Sequence, residues 1–233
     1  MTMLHEPVCR VPLAVEILVV ILLAVLPDIV SSFTFYLSPD PGTPTFLGTH
    51  GYLLARSLQI SSVILLMINL TGGDWASHCL NRPVRYLDLP TSAALVTLCY
   101  LAVPCLFFAL TALGFDLESD YHDAIAGEVL PRSASVTFAI ILVTGIANGF
   151  TEELTMRAWL IPKLEKQMSS QFAALMVSSW LFAICHLYQG RVGVAGTLAI
   201  GLIFGLYFLK FRRFWPLAIA HAAMDVIPYY WNT

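Results

Sequence analysis

Charged residues are scarce in this chain, and their scarcity narrows the class of protein it can belong to. Only 12% of the 233 residues are Asp, Glu, Lys or Arg, whereas 58% are hydrophobic and the mean hydropathy is +0.77. An average soluble domain carries about 25% charged residues. A basic face of the kind that binds nucleic acid is also absent from the sequence. The composition therefore predicts a polytopic integral membrane protein, with the lipid bilayer as a partner and no nucleic acid.

Cysteines with the spacing of a metal or redox motif are missing too. The five cysteines have no C-x-x-C arrangement, and four of them lie in or beside apolar stretches; they are Cys9, Cys79, Cys99, Cys105 and Cys185. Such spacing supports neither a zinc knuckle nor a disulfide framework. The chain also lacks a composition break, a long linker and an evident repeat. One domain over residues 1–233 is therefore the simplest architecture.

Seven apolar stretches could cross a bilayer, whose hydrocarbon core takes about 20 residues of helix. They cover roughly residues 13–36, 51–71, 91–114, 134–157, 171–188, 192–210 and 214–231. We therefore predict an all-α fold, a transmembrane bundle of about seven helices. The first stretch is too long for a signal-peptide core, so we expect it to be retained, with a kink or an early end at Pro27.

The basic residues predict the orientation of this bundle. Most fall on one side of a seven-span arrangement, namely Arg10, Arg82, Arg85, Lys163, Lys166, Lys210, Arg212 and Arg213, and only Arg132 and Arg191 fall opposite. The positive-inside rule then places the N-terminus in the cytoplasm and the C-terminus outside. An acidic loop over residues 116–128 would also lie outside. A short chain without a transit peptide or retention signal favours a prokaryotic plasma membrane.

Small residues indicate where helices approach closely. Gly145 and Gly149 form a G-x-x-x-G pair, and small residues recur at every fourth position from Gly193 to Gly205. In membrane helices such spacing allows two backbones to come together. We expect both helices to be central to the bundle.

Six polar side chains interrupt the apolar stretches of the C-terminal half: Glu152, Glu153, Arg157, His186, His221 and Asp225. A charge in the middle of a membrane helix costs roughly 2.5–3.5 kcal/mol on insertion scales, so each group needs a partner, water or a reaction. The set predicts a buried polar site.

Helical spacing separates possible roles within this set. Glu153 and Arg157 are four residues apart and can form an ion pair, whereas Glu152 is turned by about 100° and can face a cavity. Phe182 with His186, and His221 with Asp225, are further four-residue pairs. A buried ion network that only fixes helix packing remains an alternative.

The ordered motifs Glu152-Glu153-x-x-x-Arg157, Phe182-x-x-x-His186 and His221-x-x-x-Asp225 resemble those of a known family. It is the CAAX protease and bacteriocin-processing (CPBP, Abi) family of intramembrane glutamic-type proteases, which includes the type II CAAX prenyl endopeptidases. The resemblance covers roughly residues 140–230, within a catalytic core at about 134–231. For the first three spans only hydropathy is informative.

The resemblance implies an intramembrane endopeptidase that acts on a membrane-associated peptide or protein and needs no cofactor. Glu152 would be the general base that activates water together with His186. His221 and Asp225 would stabilise the oxyanion, and Glu153, Arg157 and Phe182 would support them. The substrate class stays open among a prenylated C-terminal tail, a leader peptide and a sorting tail.

Asp225 departs from the family members that carry Asn at the last motif position. An ionised carboxylate only accepts hydrogen bonds and would repel a developing oxyanion. Either Asp225 is protonated, or it orients His221 as a carboxylate orients the histidine of a hydrolytic triad, and we prefer the second interpretation.

Other functions use the same residues. Two glutamates, two histidines and an aspartate could bind zinc, but H-E-x-x-H is absent and the adjacent arginine disfavours a dication, so we prefer metal-free catalysis. A transporter or channel would use the charges as an ion path. A non-enzymatic immunity or assembly factor would use them for packing.

Overall fold

The computed structural model describes residues 11–37, 45–71, 75–115 and 134–231. Within these ranges all regular secondary structure is helical and no β-strand is found, while residues 75–87 form turns and a loop. The helices are α1 (Leu13–Leu37), α2 (Phe46–Leu70), α3 (Asp88–Ala112), α4 (Ala134–Glu153), α5 (Ile161–Met168), α6 (Gln171–Ile184), α7 (Gly190–Phe211), α8 (Trp215–Val226) and α9 (Pro228–Trp231). A π-helical stretch, Leu154–Leu160, joins α4 to α5, and a 3-10 turn, Leu187–Gln189, precedes α7.

Five helices of the described part are long and apolar enough to span a membrane. They are α1, α2, α3, the continuous helix from α4 to α5, and α7 with its preceding turn. The all-α fold is confirmed, and five of the seven predicted spans coincide with these candidate spans. The stretches predicted at 171–188 and 214–231 contain α6 and α8, which have only 14 and 12 helical residues. Hydropathy counts the apolar turns beside them as well, so it overestimates their helical length.

Pro27 does not end the first helix. The helix widens to a π-helical turn over Ile21–Val25, where the amide of Leu26 donates to the carbonyl of Ile21, and then continues to Leu37. A widened turn is a common response to a residue that cannot donate a backbone hydrogen bond.

The glycine pair of α4 lies directly against α8. A Cβ atom at Gly149 would lie 2.5 Å from the backbone nitrogen of Ala222, and one at Gly145 would lie 2.8 Å from a methyl group of Val226. The small residues of α7 likewise allow α6 to pack closely, since a Cβ atom at Gly201 would lie 3.2 Å from the Cβ atom of Ser179. The close helix packing predicted from the sequence is confirmed.

Hydrogen bonds between side chains join α2 to α4. His50 Nδ1 lies 2.8 Å from Thr144 Oγ1, and Ser61 Oγ lies 2.8 Å from Thr151 Oγ1. Thr151 immediately precedes Glu152, so α2 supports α4 at the point where the polar motif begins.

Basic residues gather at one end of the bundle, where they are paired with acids. The pairs are Lys163–Glu16, Arg212–Glu165 and Arg213–Asp88, with N···O distances of 2.5, 2.7 and 2.6 Å. Arg82 also donates to the backbone carbonyl of Arg212. These residues belong to the set predicted on one side of the membrane. Arg10, Arg132 and the acidic loop lie outside the described residues.

We expect Gly149→Ala to lower the free energy of unfolding by about 1–3 kcal/mol, because the added methyl group would overlap the backbone of α8 and force the two helices apart. Thermal unfolding in detergent measures the effect. Gly51→Ala is the matched control, since a Cβ there would meet nothing within 4 Å. Equal unfolding midpoints for the two variants would contradict the backbone contact.

Candidate active site

Three separate segments bring the predicted residues together. Glu152 and Glu153 end α4, His221 and Asp225 lie on α8, and His186 follows α6 at the start of the 3-10 turn. Gly149, one turn before Glu152 and Glu153, lies against the backbone of His221 and Ala222, so the two carboxylates of α4 reach the imidazole on α8. The site is thus built on a close backbone contact between α4 and α8.

His221 lies among three carboxylates. Its Nδ1 is 2.7 Å from Glu153 Oε1, while its Nε2 is 3.2 Å from Glu152 Oε2 and 3.7 Å from Asp225 Oδ1. Only 8% of the His221 side chain is exposed. A buried imidazole with carboxylates at both nitrogens has its ring plane fixed by those contacts.

Glu153 also forms the ion pair predicted with Arg157. Arg157 Nη1 donates to Glu153 Oε1 over 2.8 Å, and the two side chains are 1% and 0% exposed. The guanidinium lies over the rings of Phe182 and Phe204, at 4.4 and 5.7 Å from their centroids. Flat contacts of this kind stabilise a desolvated arginine. Phe204 was missed by the sequence analysis, since a phenylalanine in an apolar helix carries no distinguishing signal.

His186 has a defined tautomer. Its Nδ1 lies 2.9 Å from the backbone carbonyl of Phe182, and because a carbonyl only accepts, Nδ1 must carry the proton. The phenyl ring of Phe182 packs edge-on against the imidazole, with centroids 4.8 Å apart. A neutral His186 therefore presents an unprotonated Nε2, which can accept a proton or a hydrogen bond from water.

Asp225 does not make the contact we predicted for it. Its Oδ2 accepts a hydrogen bond from Asn148 Nδ2 over 2.9 Å, whereas its Oδ1 is too far from His221 Nε2 for a hydrogen bond. The nitrogen that sets the tautomer, Nδ1, is held by Glu153 instead. Four-residue spacing places Asp225 near the ring of His221 on the same helix, but the carboxylate of Glu153, on α4, lies closer to the ring.

Asn148 was also missed by the sequence analysis. It lies four residues before Glu152 and therefore on the same face of α4, and this spacing is the signal that could have identified it.

The N-terminal helices also contribute polar groups near the site. Asp28 accepts a hydrogen bond from Arg56 Nε over 2.8 Å, and its charge lies within electrostatic range of Glu152 and His186. Ser32 Oγ accepts from the backbone amide of Tyr188, over 2.7 Å. Thus α1 contacts the turn that holds His186. Hydropathy alone could not reveal these contacts, because they join segments far apart in sequence.

Two buried polar atoms of the ion pair, Glu153 Oε2 and Arg157 Nη2, have no hydrogen-bond partner among the described residues. They keep the capacity to bind one more polar group. His221 and the carboxylates around it include atoms of the types that ligate zinc. Among the residues that the structure describes, however, no group of three His, Cys, Asp or Glu has the arrangement of a metal site.

Arg157→Ala should destabilise the fold by about 3–5 kcal/mol, because it leaves Glu153 buried without its counter-ion. Chemical unfolding in detergent checks this value. Glu165→Ala is the control, since it breaks the half-exposed pair with Arg212 and should cost about 1 kcal/mol or less. A variant lacking Arg157 with full stability but low activity would contradict a supporting role and assign the arginine to the chemistry.

Comparison with protein families matches residues 134–227 to the family described as type II CAAX prenyl endopeptidase Rce1-like. A comparison with curated proteins and one with solved structures find no match. The family match runs from the start of α4 to just beyond α8, so it includes every motif residue and leaves out α1–α3. Membership implies an intramembrane protease. Residues 134–227 therefore form a domain of the Rce1-like type II CAAX prenyl endopeptidase family, a family of peptidases.

Proposed function

We propose that this protein is an intramembrane endopeptidase in which Glu152 and His186 activate a water molecule and His221 and Asp225 support the oxyanion. The observation that carries the proposal is that Glu152 and Glu153, both on α4, lie at the two nitrogens of His221 on α8. An ion network that served only packing would not require three carboxylates around one imidazole. The family match over the same residues supports the same conclusion.

The first chemical step is attack of water on a peptide carbonyl. Glu152 takes a proton from the water, whose oxygen forms a bond to the carbonyl carbon. His186 accepts a hydrogen bond from the other O–H of the water through Nε2, since Nδ1 is bound to the carbonyl of Phe182. Glu152 then gives its proton to the leaving nitrogen as the C–N bond breaks. The products are an amine and a carboxylic acid, which ionises by giving its proton to the amine.

Glu153 and Arg157 support this chemistry from the side away from the substrate. The Glu153 carboxylate accepts hydrogen bonds from both Arg157 and His221, so it links the ion pair to the imidazole. Because Glu153 holds a proton on Nδ1 of His221, Nε2 can donate only when the ring is doubly protonated. Nε2 of an imidazolium at this position would point a donor towards Glu152, Asp225 and the reacting carbonyl.

We further propose that α6 and α8 also lie within the bilayer, which gives about seven transmembrane helices in one domain over residues 1–233. The apolar sequence of α6 and the packing of α8 against α3 and α4 support this placement. The paired basic residues at one end support a cytoplasmic N-terminus and an external C-terminus. We also propose a prokaryotic plasma membrane as its location.

The substrate we propose is a peptide or protein held in or at the membrane. The family description names prenyl endopeptidases that act on CAAX sequences, and a farnesylated CAAX peptide in liposomes is therefore the first probe.

Glu152→Gln should fold normally and lose nearly all cleavage, because the amide cannot take the proton of the attacking water. Cleavage of the farnesylated CAAX peptide and the set of new protein termini in expressing cells measure the effect. Glu165→Gln is the control, since Glu165 lies on the same continuous helix at the basic end of the bundle. Unchanged cleavage by well-folded Glu152→Gln protein would refute the assignment.

Activity should survive strong chelation, because the proposed base is a carboxylate and not a metal-bound hydroxide. The measurement is cleavage before and after treatment with a zinc chelator, with the zinc content of the purified protein determined in parallel. Loss of activity that zinc alone restores would instead make His186, His221 and the acids metal ligands.

A further inference from the structure

Asn148 lies beside the reacting groups and is used by none of the steps above. It is on α4, one helical turn before Glu152, and its amide nitrogen donates to Asp225 Oδ2 over 2.9 Å. No other hydrogen bond of Asn148 is found in the part of the chain that the structure describes. The amide must face the aspartate through its NH2 group, since a carboxylate only accepts. One N–H is therefore bound to Asp225 and a second remains.

The surroundings of Asn148 are rich in acceptors. Glu152, Glu153 and Asp225 contribute carboxylates, and Arg157 is directed at Glu153 within the buried ion pair. A donor at Nε2 of His221 already faces Glu152 and Asp225. A peptide carbonyl that becomes an oxyanion beside these carboxylates would therefore be stabilised by a second hydrogen-bond donor. An ionised Asp225 cannot be that donor, since a carboxylate only accepts.

Asn148 is also held rigidly, as an effective donor must be. The next residue, Gly149, touches the backbone of α8, and the contact with Asp225 fixes the amide from the other helix. A donor whose position is set before the reaction pays no reorganisation cost as charge develops.

We propose that the second N–H of Asn148 donates to the oxyanion of the scissile carbonyl, and that Asp225 is the positioning residue that holds this amide. The inference rests on the proposed function, because it concerns the same peptide hydrolysis. When the water oxygen bonds to the carbonyl carbon, the π electrons move to the carbonyl oxygen, and the Asn148 N–H binds that oxygen. The contact weakens when the C–N bond breaks and the carbonyl forms again. Asn148 gains and loses no proton.

Kinetics of Asn148→Ala on the farnesylated CAAX peptide in proteoliposomes test the role of the amide. We expect kcat to fall by roughly a hundredfold, as for loss of one oxyanion donor, with KM nearly unchanged because the contact strengthens only in the transition state. Thr144→Val is the matched control. It removes a hydrogen bond between helices from the same face of α4, one turn earlier, and should lower the melting temperature without the loss of kcat.

Exchange of the two side chains separates a chemical role from a structural one. Asn148→Asp alone places two carboxylates against each other and should lose at least as much kcat as Asn148→Ala. The double variant Asn148→Asp, Asp225→Asn again has one amide and one carboxylate, with their positions exchanged. We expect its kcat to recover at least tenfold relative to Asn148→Asp alone. Recovery of the melting temperature without recovery of kcat would make the pair purely structural and overturn the proposal.

Glu152→Gln measured in parallel distinguishes failure of this inference from failure of the proposed function. If the unmodified protein and Glu152→Gln cleave alike, the hydrolysis assigned to this site is refuted and the donor role with it. If cleavage depends on Glu152 but Asn148→Ala stays within threefold of the unmodified kcat, only the role of Asn148 is refuted.

Discussion

The backbone contact between α4 and α8 is the constraint on which the site depends. At Gly149 there is no room for a side chain, because a Cβ atom would lie 2.5 Å from the nitrogen of Ala222. The helices approach so closely that Glu153 and Glu152 on α4 lie 2.7 and 3.2 Å from the imidazole of His221 on α8. A larger residue at this position would separate the helices and with them the acids from the histidine. A glycine at position 149 is therefore required both for the helix contact and for the position of the acids beside the histidine.

Glu153 is the anion that pairs with the buried Arg157 and with His221. This carboxylate is fully buried and binds both Arg157 and His221, so one anion holds a cation and orients a ring. The aromatic faces of Phe182 and Phe204 cover the guanidinium and shield it from lipid. Buried charges persist where paired and hydrogen-bonded in this way. The adjacent Glu152 is thereby left for the substrate, which explains why two neighbouring glutamates have different roles in the proposed mechanism.

The N-terminal helices complete the site, although the family match does not include them. Ser32 on α1 contacts the turn after His186, Arg56 on α2 holds Asp28 near the motif residues, and Ser61 contacts Thr151. Polar contacts between helices inside a membrane contribute modestly one by one, yet together they fix the arrangement of segments. These contacts support the proposed single domain, since the C-terminal half alone would lack them.

The sequence by itself determined the helical, apolar character of the chain, five candidate membrane spans and some of the contacts that lie within one helix. The ion pair of Glu153 with Arg157 and the packing of Phe182 on His186 followed from four-residue spacing, because helical geometry fixes which neighbours share a face. The sequence did not predict which carboxylate binds His221 Nδ1, how short α6 and α8 are, or the hydrogen bond from Asn148 to Asp225. Each of these depends on how two helices approach and where a turn begins. Only the tertiary structure decides those distances, because spacing along one helix carries no information about the rotation of another.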